Sequence, residues 1–253
     1  MIILETLAVG FSMFSALPVP QVEWSEKNMR YSLCVFPLVG AVIAAACCVW
    51  TLVCDALSAP DLMRGAGLCL LSVLMTGGIH LDGYADTCDA LASRAAPEKR
   101  QTILKDPNIG AFAAIRLCVY FTASLALWSS LKEISLPVLP GMFGLSRCLS
   151  GISLTVFPLR KGSGLARTFS DAADRQRVRA VLLALAAVCA GVLCLSDAWP
   201  CVPAALAVFL IYRRTAEREF SGLSGDLAGW FLQKSELWML GALVLWQYGK
   251  AIQ

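Results

Sequence analysis

The chain has 253 residues, of which 58% are hydrophobic and only 15% are charged. Soluble domains usually carry about 25% charged residues, so this composition excludes an ordinary water-soluble protein. The net charge of +3 is too small for a nucleic-acid-binding surface, and no nucleic-acid partner is expected. The eleven cysteines form no C-x-x-C pair and lie mostly in apolar stretches, which favours buried thiols over a disulfide framework or a zinc site.

The apolar residues form stretches with the length of membrane helices, which need about 20 apolar residues to cross a bilayer. These stretches lie at roughly 1–17, 31–54, 62–80, 109–131, 136–157, 178–196, 199–212 and 228–248. The first and the seventh are short for a span. We therefore predict an all-α, polytopic integral membrane bundle of seven to eight hydrophobic helices, without a β-sheet. No soluble linker interrupts it, which predicts a single membrane-embedded catalytic domain over residues 1–253.

Lysine and arginine are unevenly distributed among the polar connections. They concentrate at 18–30, 81–108, 158–177 and 213–227 and are scarce in the other connections. The positive-inside rule then puts these four connections on the cytoplasmic side. We expect a bacterial cytoplasmic (inner) membrane protein, in contact with the lipid bilayer, whose active site faces the cytoplasm.

One acidic motif follows the third apolar stretch. Asp82, Asp86 and Asp89 are spaced i, i+4, i+7, which puts three carboxylates on one face of a helix. Such carboxylates repel one another unless a cation holds them, and Mg²⁺ takes oxygen ligands together with substrate phosphates. Asp226, at the start of a later membrane helix, is the fourth predicted metal ligand. Gly83 is expected to leave room for the substrate beside the carboxylates. The alternative interpretation is a solvated acidic helix end, favoured by the helix dipole.

Other polar residues are expected near the same membrane face. Basic side chains beside flexible glycines suit phosphate oxygens, although positive-inside topology also explains many of them. The predicted substrate contacts, besides Gly83, are Lys105, Arg147, Arg160, Lys161, Ser224 and Glu236. Arg147 stands alone in an apolar helix, so it should face the bundle interior and a carboxylate or phosphate. His80 and Asp106 are the two candidates for the general base, and the residues do not choose between them.

These residues resemble the motifs of the cobalamin synthase family, the adenosylcobinamide-GDP ribazoletransferases. The signature runs Gly77-Gly78-Ile79-His80-Leu81-Asp82-Gly83, with Ala85-Asp86 and Asp89 after it. Further similar elements are Ser15 to Pro20, Phe36-Pro37-Leu38-Val39-Gly40, Lys105-Asp106 with Ile109-Gly110, Ser146-Arg147, and Gly222 to Asp226. The resemblance covers essentially the whole chain. It departs from the family at Pro107-Asn108, where Ser-Arg is common, at Ser224, where threonine is usual, and at Gln233, which is acidic in many relatives.

The resemblance implies a Mg²⁺-dependent phosphotransferase acting late in cobalamin biosynthesis. A ribose hydroxyl of α-ribazole, or of its 5′-phosphate, would attack the cobinamide-linked phosphorus of adenosylcobinamide-GDP. GMP would leave, and adenosylcobalamin or its 5′-phosphate would form. The sequence leaves open which acceptor is used, how many metal ions bind, and whether the protein is a homo-oligomer.

Two other functions compete with this one. A CDP-alcohol phosphotransferase also clusters aspartates around an Asp-Gly pair, but it requires a downstream aspartate series that this chain lacks. A membrane ion transporter would carry charges near mid-helix and internal repeats. Here the acids cluster at one membrane face and no repeat is found.

Overall fold

A computed structural model describes residues 1–160 and 164–252. In these residues the chain forms α-helices and one short 3-10 helix, and the only strand-like pairing is an isolated bridge between Leu159 and Leu223. The helices are α1 (Ile2–Phe14), α2 (Glu26–Met29), α3 (Phe36–Ala56), α4 (Asp61–Thr76), α5 (Ile79–Ala92), α6 (Pro97–Ile103), α7 (Ala111–Ser130), α8 (Val138–Val156), α9 (Leu165–Ala172), α10 (Arg175–Leu195), α11 (Cys201–Glu219) and α12 (Gly225–Lys250). The predicted all-α helix bundle is confirmed.

The predicted apolar stretches are mainly helical, but fewer helices are apolar along their whole length. In the described part of the chain, three segments are long and apolar enough to cross a membrane: Ser32–Ala56, Ala111–Ser130 and Arg175–Leu195. The pair α4 and α5 makes a fourth if it is one broken span. Helices α8 and α12 are long, with 19 and 26 residues, but carry polar and charged side chains that the bundle buries. A helix surrounded by protein does not need an apolar surface on every side.

The third apolar stretch, predicted to run unbroken over 62–80, is broken at Gly77 and Gly78. Helix α4 ends before this pair and α5 begins after it, with a bend of 95° between them. Both glycines have left-handed backbone angles, with φ of +63° and +79°. Side chains with a Cβ disfavour this conformation, so the Gly-Gly pair is what permits the sharp turn. The turn directs the acidic helix α5 away from the axis of α4.

Helices α8 and α12 form the centre of the bundle. Almost every residue of α8 between Val138 and Thr155 is buried, and α8 packs against α3, α10 and α12. Helix α12 packs against α5 and α11. The acidic helix α5 is therefore held against a central helix rather than against lipid.

Helices α5 and α12 approach each other through glycines. A Cβ at Gly83 would lie 2.7 Å from Cα and 2.8 Å from the carbonyl oxygen of Asp226. A Cβ at Gly229 would lie 2.6 Å from the carbonyl oxygen of His80. The space beside Gly83 is filled by the backbone of α12, so the predicted room for a substrate at this position is not present. Gly83 instead sets the distance between α5 and α12.

We expect Gly83→Ala to lower the thermal unfolding temperature of the detergent-solubilised protein. The added methyl group must push the two backbones apart, and such overpacking usually costs about 1–3 kcal/mol. Gly191→Ala in α10 is the matched control, because no atom lies within 4 Å of a Cβ there. Equal unfolding temperatures for wild type and Gly83→Ala would show that α5 and α12 do not pack this closely.

Candidate active site

Two cavities meet at Asp82. The first, of about 270 Å³, has mostly apolar walls and is called here the apolar cavity; its lining includes Phe14, Phe36, Phe169, Arg160 and Asp226. The second, of about 600 Å³, is called the acidic cavity; its lining includes Gly77, Gly78, Asp86, Asp106 and Asn108. Ile79 and Asp82 line both cavities. The start of α5 therefore separates two compartments that share one carboxylate.

A third cavity, of about 390 Å³, lies at the other end of the bundle, near the C-termini of α7, α10 and α12. Its charged lining residues include Lys250 and Asp197, which form an ion pair 2.5 Å long. None of the predicted site residues lines it. The chemistry predicted from the sequence therefore belongs to the two cavities at Asp82.

Among the described residues, no basic side chain lines the acidic cavity. Asp82, Asp86 and Asp106 line it, and no lysine or arginine of the described residues does. Carboxylates repel an anionic substrate at close range unless a cation lies between them. A positive ion between these carboxylates would allow a phosphate group to bind here.

Asp89 has a different environment from the other two carboxylates of α5. Its Oδ1 accepts a hydrogen bond from the backbone N–H of Ala113, 3.3 Å away, in the first turn of α7. It lines neither cavity. A carboxylate at a helix N-terminus satisfies free backbone N–H groups and is favoured by the helix dipole. This contact joins α5 to α7, and the metal-binding role of Asp89 stays a prediction.

Asp226 is positioned by the start of α12. The Ser224 hydroxyl accepts a hydrogen bond from the backbone N–H of Leu227 at 3.3 Å and caps the helix. The same hydroxyl donates to Oδ2 of Asp226, also at 3.3 Å. Ser224 is buried and lines the apolar cavity beside Asp226. The hydrogen bonds of Ser224 orient the Asp226 carboxylate. Ser224 also lines the apolar cavity, so its contact with the substrate stays a prediction.

The carboxylate oxygens at this site are suitable ligands for Mg²⁺, but they do not provide a complete coordination shell. Among the described residues, no three His, Cys, Asp or Glu side chains are grouped closely enough to hold a metal ion. Mg²⁺ commonly takes only one or two protein carboxylates and completes its shell with water and substrate phosphates. Asp82, shared by both cavities, and its neighbours Asp86 and Asp226 can provide such an incomplete set.

Arg160 is a buried cation that shares the apolar cavity with the Asp226 carboxylate, and it forms no ion pair within the described part of the chain. Only 6% of the residue is exposed, and its backbone N–H donates to the Leu223 carbonyl at 3.0 Å. Nε and Nη1 are buried, and no described residue lies within hydrogen-bonding distance of them. Its neighbour Lys161, also predicted to bind substrate, lies outside the described residues. A buried guanidinium without partners is costly, so Arg160 is suited to bind an anion inside the apolar cavity.

The two predicted general bases lie in different cavities. The Asp106 carboxylate accepts hydrogen bonds from the backbone N–H of Asn108 at 3.0 Å and from its side-chain amide at 2.9 Å. These bonds, the backbone one first, lower the pKa of Asp106 and make it a weaker base. His80 lines the apolar cavity, and its buried Nε2 has no hydrogen-bond partner among the described residues. Burial of the His80 imidazole disfavours its protonated form, so the environments of both candidates weaken them as bases.

Arg147 and Glu236 are bound to each other. Arg147 Nη1 lies 2.5 Å from Glu236 Oε1, and the Ser146 hydroxyl donates to the same oxygen at 3.0 Å. Arg147 is 1% exposed, and neither member of the pair lines a cavity at Asp82. The expectation that Arg147 faces the bundle interior and a carboxylate agrees with this pair. The pair joins α8 to α12, and the predicted substrate contacts of both residues stay predictions.

Lys105 is exposed and lines neither cavity. It follows α6 and precedes Asp106, so only its neighbour reaches the acidic cavity. The structure gives no contact that distinguishes Lys105 from other surface lysines.

The aromatic wall of the apolar cavity was not predicted. Phe14, Phe36 and Phe169 come from α1, α3 and α9, and the Phe14 and Phe36 rings stack with centroids 4.3 Å apart. Phe169 lies in the connection 158–177, which the composition of the sequence predicts to be polar. Leu165, Ala166 and Phe169 are apolar residues at helical spacing. This pattern in the sequence is the one that could have predicted α9.

Comparisons with known proteins cover nearly the whole chain. Residues 6–244 match the family model described as cobalamin-5-phosphate synthase. A relative named adenosylcobinamide-GDP ribazoletransferase from Lachnoclostridium phytofermentans is 40% identical over 96% of this chain and 94% of its own. Relatives with the same name from Desulfitobacterium hafniense and Geobacillus kaustophilus are each 30% identical, over 96% and 94% of this chain and 98% and 94% of their own. No solved structure matches the chain.

Proposed function

This chain belongs to the cobalamin-5-phosphate synthase family, and on that premise we propose that it joins adenosylcobinamide-GDP to α-ribazole or α-ribazole 5′-phosphate. The products are GMP and adenosylcobalamin or its 5′-phosphate, in a late step of cobalamin biosynthesis. The observation that carries this proposal at the site is the pair of cavities that share Asp82, because a transfer between two substrates needs two adjoining compartments.

The transfer exchanges one phosphorus–oxygen bond for another. The ribose hydroxyl oxygen of the acceptor bonds to the phosphorus that carries the cobinamide. The bond from this phosphorus to the bridging oxygen of the diphosphate breaks, and GMP leaves with the electron pair. The hydroxyl proton passes to a base of the protein. Such a reaction depends mainly on alignment of the two substrates and on neutralising their negative charge.

Three carboxylates are the proposed metal ligands. Asp82, Asp86 and Asp226 would hold Mg²⁺, which supplies positive charge against the diphosphate when it is bound. The acidic cavity supports this assignment, because no described lysine or arginine lines it. Through such an ion Asp82 and Asp86 would orient the adenosylcobinamide-GDP diphosphate in this cavity, and Asp226 lines the neighbouring cavity from α12.

His80 is the proposed proton acceptor. His80 Nε2 forms no hydrogen bond with any described residue, whereas the Asp106 carboxylate already accepts two hydrogen bonds from Asn108. A neutral imidazole needs no prior loss of a proton to act as a base, although burial of His80 disfavours the protonated form that would result. Asp106 then serves to shape the mouth of the acidic cavity.

The proposed activity is tested with purified protein in lipid vesicles. Adenosylcobinamide-GDP, α-ribazole 5′-phosphate and Mg²⁺ are added, and GMP and the corrinoid product are measured. We expect GMP and corrinoid product in equal amounts. Release of CMP from CDP-diacylglycerol and an alcohol, with no GMP in the first assay, would instead identify a CDP-alcohol phosphotransferase.

The active site is proposed to face the cytoplasm. The four basic connections support this orientation, and Asp106, Arg160 and Asp226 from three of them line the cavities at one end of the bundle. We expect single cysteines placed in 94–100, 171–175 and 213–218 of a cysteine-free protein to react alike. In right-side-out vesicles an impermeant thiol reagent should label them only after the membrane is opened. Labelling of one of these sites before opening would contradict the shared orientation.

A further inference from the structure

Two basic residues lie within helices of the bundle, away from the basic connections. Arg116 is in α7 and Lys234 is in α12, each inside one of the predicted apolar stretches. Their neighbours along these helices include large apolar side chains exposed on the surface of the bundle, such as Phe112, Ile115 and Trp238. Ionisable residues are costly among lipid-facing side chains and generally have a function where they occur.

Arg116 and Lys234 lie close together beside α5. Helix α5 packs against both α7 and α12, and both cations lie near the Cys88 thiol of α5. The charge of Arg116 also acts directly on Lys234. Neither cation forms an ion pair within the described part of the chain. Two like charges repel each other, so this pair is unfavourable until an anion lies between them.

Both side chains point toward the membrane face that carries the active site. Helices α7 and α12 begin at that face, since Ile109 and Asp226 line the cavities there. At 1.5 Å per residue, Arg116 is about 8 Å and Lys234 about 14 Å from the start of its helix. Side chains of a helix lean toward its N-terminus, which brings both charged groups nearer the lipid headgroups.

We propose that Arg116 and Lys234 form a binding site for the phosphate of an anionic phospholipid in the leaflet on the active-site side. The phosphate oxygens lie between the guanidinium and the ammonium group. The acyl chains run along the exposed apolar surface of α7, which includes Phe112, Ile115 and Val119. This site is separate from the proposed transfer reaction and holds whether or not that reaction is correct.

The charges of the site favour an anionic lipid over a zwitterionic one. Arginine and lysine both bind phosphate oxygens, and basic pockets between membrane helices bind anionic headgroups. A choline headgroup would bring a third positive charge to two cations. Tryptophan rings can bind choline, but Lys234 Nζ already lies 4.5 Å from the ring centroid of Trp230 and 6.0 Å from that of Trp238. Phosphatidylglycerol should therefore bind better than phosphatidylcholine.

A second copy of the chain fits this surface less well than a lipid does. A two-fold dimer would place the same surface of both copies in contact. Helix α7 contains no acidic residue, and α12 contains only Asp226, which lines the apolar cavity, and Glu236, which is paired with Arg147. Such a contact would bring four cations together without a carboxylate from either helix to neutralise them.

Native mass spectrometry of protein mixed with equal amounts of phosphatidylglycerol and phosphatidylcholine tests the site. We expect wild type to retain phosphatidylglycerol, and the double variant Arg116→Gln with Lys234→Gln to retain about tenfold less or lower still. Arg167→Gln with Arg175→Gln is the matched control, because it removes the same charge from two exposed residues that pair with Asp171. It should behave like wild type.

Three results of this experiment would overturn the proposal. Equal retention of both lipids by wild type, or equal loss of phosphatidylglycerol in the two double variants, would indicate non-specific surrounding lipid only. A wild-type dimer that Arg116→Gln with Lys234→Gln converts to monomers would instead identify an interface between copies of the chain.

Thermal unfolding in detergent provides a second readout that a loss of basal stability does not obscure, because each protein is compared with itself. We expect phosphatidylglycerol to raise the unfolding temperature of wild type by about 3 °C or more, and that of Arg116→Gln with Lys234→Gln by much less. Arg116→Lys with Lys234→Arg keeps both charges and should retain the rise. An equal rise in the charge-removing variant, or an equal rise of wild type with inorganic phosphate in place of lipid, would refute the lipid site.

Discussion

Replacing Asp82 by Asn is expected to lower kcat by about two to three orders of magnitude, with little change in folding. Among the described carboxylates, Asp82 is the one that lines both cavities. Asparagine keeps the size of the side chain and removes the charge that would hold Mg²⁺. Loss of a preorganised charge at the reacting group commonly has an effect of this size. The side chain is exposed to the cavities, so its replacement should not disturb the core.

GMP release and the dependence of rate on Mg²⁺ concentration are the measurements for Asp82→Asn. Asp171→Asn is the control, because Asp171 is an exposed carboxylate that pairs only with the surface residues Arg167 and Arg175. We expect the control to stay near wild-type activity. A near-wild-type rate and unchanged Mg²⁺ dependence for Asp82→Asn would mean that the acidic motif is only a solvated helix end.

Replacing Arg147 by Met is expected to destabilise the protein by about 3–5 kcal/mol, because it leaves the Glu236 carboxylate buried without its partner. The pair joins α8 to α12, and α12 carries Asp226 at its start. Activity should fall together with the folded fraction, while KM of the remaining folded enzyme stays near the wild-type value. Thermal unfolding in detergent and steady-state kinetics measure the two effects.

The double variant Arg147→Met with Glu236→Met is the control for this second prediction. It removes both charges and fills similar space with apolar side chains, so it should recover much of the lost stability. A stable Arg147→Met protein with a strongly raised KM for adenosylcobinamide-GDP would show that Arg147 contacts the substrate.

Local patterns in the sequence were sufficient for the helices and for the acidic motif. Long apolar stretches can be satisfied in a bilayer only by helices or closed barrels, and their lengths and lack of alternation predicted an all-α bundle. Helical periodicity placed Asp82 and Asp86 on one side of α5, and the motif around them carried the resemblance that the family match then confirmed. These features depend on residues close together in the chain.

Several site assignments depended on contacts that no local pattern contains. Arg147 and Glu236 are 89 residues apart, and only the packing of α8 on α12 shows that they neutralise each other. A glycine at position 83 could leave room either for a substrate or for a neighbouring helix, and the sequence does not distinguish the two. Only the position of α12 shows that a helix occupies this space. Asp89 belongs to the same helical face as Asp82, yet the start of α7 engages it.

The sequence by itself determined the membrane class, the helical content, the family and the carboxylates at the start of α5. Hydropathy and helical period report the environment averaged over one helix, and this information is enough for those conclusions. Only the tertiary structure decided that the site has two compartments and that Asp82 is shared between them. Cavities and ion pairs form between side chains from different helices, whose relative positions depend on packing over the whole bundle and not on the period of any single segment.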